Sequence, residues 1–335
     1  PPPPRLELLV ASQVIVGISQ LMVIVGAQAK VARIGTMADR ERNFGYFAFF
    51  ASVGQLAGPV AGGLLYDFAS PAGSFLVGGL VTAAGLPPAL RLLRDAGQVS
   101  AGRPADLPGR PGPHPAQDRS IAAPQSIFAI LGLPTVVVAV VASSAMLFGG
   151  AVRQSFFPLY IESLGYGATV IGILAAILGL TSMVVRPFMS HLTARFGRFG
   201  LLSLSLLLAG LGLGVIPLVT GFSALAFLSL VTGIGFGYSQ PLSMVLVADA
   251  VGDDRRGKAL GVRLASNRLA QLIAPLLFGV LVAWYGLESS LIAAGLFPLA
   301  GLAVMLWFLR RQGVGLGPGQ DDLMRRAKPK VPVQG

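Results

Sequence analysis

The sequence predicts an all-α integral membrane protein built as two homologous helical bundles, and three observations carry that prediction. The 335 residues are 54% hydrophobic and only 12% charged, with a mean hydropathy of +0.74; an ordinary soluble domain carries about 25% charge. Nine apolar runs approach or exceed the roughly 20 residues that a helix needs to cross a bilayer. A segment of the first half also returns in the second at a fixed offset of 216 residues.

Taken in order, the expected spans begin with Leu6–Ala29, Phe44–Leu65 and Ala72–Leu93. Gln13 and Gln20 share a face of the first span with Gly17, since seven residues make two helical turns. Pro87-Pro88 should break, kink or shorten the third span near its inner end. Arg94 to Gln125 is rich in Pro, Gly and Arg, has no apolar period, and reads as a flexible linker. The second half supplies Ile127–Gly149, Ala168–Val185, Phe199–Leu218, Phe222–Ala248, Ala259–Ala283 and Leu291–Leu309. The expected organisation is therefore a partial bundle (1–94), a cytoplasmic linker (95–125), a six-helix bundle (126–310) and a basic disordered tail (311–335).

A net charge of +11 suits nucleic acid at first sight, but its distribution argues for a membrane. Twenty-one of the 25 Lys and Arg fall in alternate loops and the tail, among them Lys30, Arg40, Arg94, Arg119, Arg186, Arg255 and Arg310. The opposite side holds only Arg5 and Arg153, while Arg263 and Arg268 lie within a span. This positive-inside pattern predicts a multi-pass protein of the cell (plasma or inner) membrane with a cytoplasmic C-terminus. The basic tail reads as topology-setting charge near anionic lipid. The expected partners are the bilayer and a small-molecule substrate, with no nucleic acid and a monomeric state. The absence of cysteine removes thiolate and disulfide chemistry.

The repeated segment is GYFAFFASVGQLAGPVAGG, Gly45 to Gly63, matched by GVRLASNRLAQLIAPLLFG, Gly261 to Gly279. Gly45, Gln55, Leu56, Pro59 and Gly63 find identical residues at Gly261, Gln271, Leu272, Pro275 and Gly279. Gly54 and Gly58 find Ala270 and Ala274, and Arg40 and Gly17-Ile18 find Arg256 and Gly233-Ile234. Duplicated halves are a mark of transporter folds. Gly54, Gly58 and Gly62 recur every four residues and form a smooth stripe for close helix approach, and Pro59 biases the helix toward a kink. The second half begins near Ile127, so its counterpart would begin about ninety residues before residue 1. The chain is thus expected to hold nine of twelve helices, lacking the first three, with a genuine nine-helix protein as the alternative.

Gly45-x8-Gly54-x3-Gly58-Pro59-x2-Gly62-Gly63 resembles the fifth-helix signature of drug and metabolite exporters in the major facilitator superfamily. Arg186-Pro-Phe-Met-Ser190-His-Leu192-Thr-Ala194-Arg195-Phe-Gly197-Arg198 resembles that family's cytoplasmic loop between its eighth and ninth helices. Ser190 stands there for a glycine and Ala194 for an aspartate. The family's fourth-helix arginine, four residues before a glycine, falls on Gln13 before Gly17. Because that arginine is implicated in proton coupling in related antiporters, its absence puts coupling in doubt.

The resemblance implies a secondary transporter exporting small amphipathic compounds by alternating access, of the multidrug-resistance efflux kind. It also implies that the fourth, seventh and tenth family helices line a central cavity. Gln13, Gln20, Arg153, Tyr238 and Gln240 are then the expected substrate-cavity residues, with Met146, Phe148 and Phe236 nearby. Gly45, Gly54, Gly58, Pro59, Gly62 and Gly63 are the expected helix-packing residues, and Arg186, Arg195, Gly197 and Arg198 a cytoplasmic gate loop. No cofactor or metal is expected; an ion or proton gradient is the energy source left open.

A polar group inside a span is costly and therefore a functional candidate. Arg263, Asn267 and Gln271 form a second polar stripe at i, i+4 and i+8, to face a watery path or to join helices. Arg263 is expected to snorkel to the inner surface. No Asp or Glu lies well inside an expected span, and His114 and His191 fall in the linker and a loop. An intramembrane enzyme, needing a nucleophile-base pair or metal ligands at depth, is disfavoured on that ground. The alternatives kept are an uptake symporter or facilitator of the same fold, and an inactive fragment.

Overall fold

The computed structural model describes residues 6–31, 37–87, 132–251, 255–313 and 315–317. The linker 95–125, Asp253-Asp254 and the tail from 318 onward lie outside the described residues. Helices account for almost all the rest, as lipid requires: a spanning segment must satisfy its own backbone hydrogen bonds. They are α1 (Leu6–Val31), α2 (Met37–Phe68), α3 (Pro71–Ala84), α4 (Pro134–Ser163), α5 (Ala168–Val184), α6 (Met189–Phe196), α7 (Arg198–Val215), α8 (Phe222–Ala250) and α9 (Arg256–Arg311). Short 3-10 turns, Arg186–Phe188 and Ile216–Leu218, join α5 to α6 and extend α7.

The described helices differ from the expected spans in length. Five helical stretches among the described residues are long and apolar enough to cross a membrane. They lie in α4, in α5 with α6, in α7 with its 3-10 turn, in α8 and in α9. The last, Gly257–Arg311, has 55 residues, about 80 Å at 1.5 Å per residue, enough for two crossings. Gly286 divides it, with φ 83° and ψ 172°, a backbone that a side chain would strain. Its two arms correspond to the last two expected spans. α3 is only 14 residues long and ends at Ala84, before Pro87. α2 begins well ahead of its apolar run, through Arg40, Glu41 and Arg42. Such residues favour a helix while opposing burial in lipid.

Contacts divide the chain within α2, into Pro1–Ala57 and Gly58–Gly335. In the first unit, the described side chains of α1, Gln13 and Gln20 among them, are exposed. In the second, three apolar clusters hold α4, α7, α8 and α9 together. Val136, Leu202, Leu206, Leu246 and Leu309 form the first. Phe157, Tyr160, Ile216, Leu225 and Leu291 form the second. Phe148, Val152, Ala274, Phe278 and Ala294 form the third. Phe148 stacks on Phe297 with ring centroids 4.0 Å apart and meets Phe278 edge-on at 5.8 Å, so α4 grips both arms of α9. Outward faces stay apolar: Leu204, Leu207 and Leu211 on α7 and Leu272 and Leu276 on α9 are exposed, as a lipid-facing surface should be.

Candidate functional site

Among the described residues, the close contact of α2 forms on a face beside the stripe that the four-residue spacing suggested. A β-carbon added at Gly54, Gly58 or Gly62 would meet nothing within 4 Å among the described residues. One added at Gly63 would run into the Ala168 carbonyl, with Thr169 Cα 3.0 Å away; one at Gly172 of α5 would run into the Pro59 carbonyl. Pro59 and Gly63 are four residues apart and share their own face, one step round the helix from the predicted stripe. α2 and α5 therefore touch backbone to backbone along Pro59–Gly63 and Ala168–Gly172. Gly45 carries no described side-chain environment.

Asp67, past the end of the apolar run, secures this contact. Its Oδ1 accepts the Ala168 N–H at 3.0 Å and its Oδ2 the Thr169 N–H at 2.7 Å. These are among the free donors at the start of α5, where the helix dipole also favours a negative charge. Hydrogen bonds from Thr169, then from Ala168, hold the Asp67 carboxyl below its ordinary value of 3.8. With its value lowered in the fold, the clasp is complete at neutral pH and is lost as pH falls through that lowered value. Asp67→Ala is expected to speed hydrogen–deuterium exchange at Ala168 and Thr169 severalfold, with Asp67→Asn intermediate; unchanged exchange in both variants would refute the clasp.

The predicted cavity residues of the second unit separate. Tyr238 is 5% exposed and packs within the first apolar cluster. Arg153 is 8% exposed; its Nη2 reaches Ser229 Oγ of α8 at 3.3 Å and its guanidinium carbon lies 4.3 Å over the Phe157 ring. Gly149 and Phe157, one turn either side of Arg153, abut residues of α7 and of the second arm of α9. Arg153 is thus buried in the helix contact rather than presented on an open wall. Phe148 and Met146 are likewise helix-contact residues.

Gln240 instead meets the second polar stripe. Arg263 does not snorkel. It turns into the α8–α9 contact, 4% exposed, where its Nε donates to Ser243 Oγ at 3.1 Å. Its Nη2 donates to Gln240 O, Gln240 Oε1 and Ser243 Oγ at 2.9, 2.8 and 2.7 Å. One turn on, Asn267 Oδ1 accepts from Ser143 and Ser144 of α4 at 3.0 and 3.3 Å. Arg263 and Asn267 together form a buried polar seam joining α4, α8 and α9. Gln271 leaves the seam and accepts from the exposed Arg268 at 2.9 Å. Ser143, Ser144 and Ser243 were not foreseen; hydroxyls in an apolar run are the only sign they give.

In the expected gate loop, Arg186 and Arg195 are exposed, and Arg195 lies 5.7 Å from the Phe196 ring centroid. Gly197, at φ +72°, turns the chain into α7 beside the Leu316 and Gly317 carbonyls. Arg198 pairs with Asp249 of α8 at 2.6 Å.

The sequence matches the family model of the Major Facilitator Superfamily over residues 3–167 and 140–323. The chain belongs to the major facilitator superfamily. Among curated members of this superfamily, it is 26% identical over 302 residues to "Tetracycline resistance protein, class C" of Escherichia coli, covering 88% of this chain and 72% of that protein. It is 24% identical over 279 residues to "Multidrug resistance protein 1" of Bacillus subtilis, covering 82% and 67%. The solved proton:xylose symporter XylE aligns with a TM-score of 0.47 at 16% identity, over 60% of this chain and 49% of that one. The chain thus spans about half to three quarters of these proteins' lengths.

Proposed function

We propose that the protein is a secondary transporter that exports small amphipathic compounds across the cell membrane by alternating access. The observation that carries this reading is the Gly45–Gly63 segment, whose Pro59–Gly63 face packs backbone to backbone on α5. In this reading the α2–α5 contact packs and parts as the two bundles rock. The relatives named for tetracycline and multidrug resistance support the outward direction. In this reading the C-terminus is cytoplasmic, Arg198–Asp249 steadies the inner side, and Gln13, Gln20 and Gln240 offer polar contacts to substrate. Arg153 and Tyr238 hold the helices that carry them.

The test is direct. The full-length gene, expressed in a pump-deficient bacterium, should raise the inhibitory concentration of tetracycline severalfold and lower its accumulation in energised cells. Dissipating the ion gradients should remove both effects. Greater accumulation in expressing cells would overturn the outward direction.

A further inference from the structure

Among the described residues, the α8–α9 contact gathers hydrogen-bond donors with no matching negative group. All the acceptors that Arg263 has found are neutral: the Gln240 carbonyl, the Gln240 side-chain oxygen and the Ser243 hydroxyl. Its Nη1 takes part in none of these bonds, and among the described residues no carboxylate forms an ion pair with it. The Gln240 amide has turned its oxygen to the guanidinium, which fixes which end is nitrogen. Its Nε2 is buried and has no acceptor. That nitrogen and the oxygen bound to Arg263 are the two ends of one amide. Pro241 follows immediately and cannot supply a backbone donor at this point of α8.

A guanidinium remains charged under almost any surroundings. Within a span, a cation needs a compensating anion or open water, and neutral oxygens leave the whole charge in place. Free N–H groups from a guanidinium and a neighbouring amide are complementary to a planar or tetrahedral oxyanion, which accepts several charge-assisted bonds at once. Arg263 lies seven residues into α9, about 10 Å along the helix from the end that bears Arg255 and Arg256.

We propose that Arg263 and Gln240 form a clamp for an acid group, a carboxylate or phosphate, carried by a small solute or by a lipid. For a solute, the clamp rests on the transport reading and adds to it an anionic group on the substrate. Nη1 of Arg263 holds the oxyanion, Gln240 Nε2 supplies a further donor, and the Ser243 hydroxyl and Gln240 oxygens fix the guanidinium.

The test uses full-length protein in nanodiscs of phosphatidylcholine, with thermal unfolding as the readout and benzoate, inorganic phosphate and benzylammonium as probes. Benzoate or phosphate should raise the unfolding temperature of the wild type, and benzylammonium should not. Arg263→Gln should abolish the shift and Arg263→Lys should weaken binding about tenfold, since an ammonium cannot bond Ser243 and Gln240 and still present a separate, oriented Nη1. Gln240→Glu places a carboxylate in the clamp, so it should raise the unfolding temperature without ligand and abolish the response to benzoate. Stabilisation by phosphatidylglycerol nanodiscs alone, removed by Arg263→Gln, would identify lipid as the source. The clamp is overturned if no acid or anionic lipid stabilises the wild type, or if Arg263→Gln responds as the wild type does. A wild type that binds benzoate and exports nothing overturns the transport reading alone; one that exports tetracycline and ignores every acid overturns the clamp alone.

Discussion

On the export reading, Gly63→Leu is expected to abolish tetracycline export by the full-length protein, while Gly58→Leu leaves most of it. The two glycines belong to one motif and lie five residues apart, so sequence gives no ground to rank them. The structure does. A β-carbon at Gly63 would stand 2.9 Å from the Ala168 carbonyl carbon and 3.0 Å from Thr169 Cα, backbone atoms that cannot rotate aside. At Gly58 nothing described lies within 4 Å. Forcing an added side chain into a packed contact costs about 1–3 kcal/mol, and a bias of that size shifts a two-state equilibrium roughly 5- to 150-fold. If the packed α2–α5 contact is one state of the transport cycle, Gly63→Leu depopulates it and Gly58→Leu does not. Inhibitory concentrations, with protein levels matched by immunoblot, measure the difference. Equal loss in both variants would mean that the Gly54–Gly58–Gly62 stripe meets a partner of equal importance.

The same comparison shows what was legible in the sequence. That these segments are helices follows from apolar length, and the expected Leu6–Ala29 lies within α1, Leu6–Val31. Hydropathy located lipid rather than helix ends, so it missed the charged start of α2 and did not see that Gly286 alone separates the two arms of α9. Spacing gave a candidate face for the glycine motif but not its rotation, and the contact formed one step round, on Pro59 and Gly63. The polar residues show the limit most clearly. Gln240 and Arg263 both stood out as costly groups in apolar runs, yet assigned to separate sites. Their pairing across 23 residues depends on how α8 and α9 rotate against each other, which apolar helices of nearly uniform hydropathy do not encode locally. Asp67 lies beyond the expected Phe44–Leu65 span, and its partners are backbone N–H groups about a hundred residues away, invisible to any side-chain pattern.

Gly295→Leu should prevent stable folding of the helices from α4 onward, and Gly295→Ala should lower their stability by about 1–3 kcal/mol. Gly295 lies on the second arm of α9, where a β-carbon would be 2.5 Å from Gly214 N, 2.6 Å from Gly210 O and 2.6 Å from Gly214 Cα. Both sides of the contact are glycine backbone, so neither helix has a side chain to swing away. Small residues at such crossings are what lets helices associate in lipid, where the surrounding acyl chains are as apolar as leucine and offer no hydrophobic drive. The glycines are a condition for the dispersion contacts of Leu213, Leu291 and Ala294 beside them, not merely tolerated by them. Separating the backbones by one methyl group weakens all these contacts together, since even a 0.5–1 Å gap forfeits about a quarter to a half of each. Gly279→Ala supplies the control. It lies on the other arm of the same helix, is exposed, and has nothing within 4 Å, so its effect should stay within about 0.5 kcal/mol. Unfolding in mild detergent, followed by the fluorescence of Trp284 and Trp307, reads both. A Gly295→Ala protein as stable as Gly279→Ala would show that α7 and α9 do not approach as closely as 2.5 Å implies.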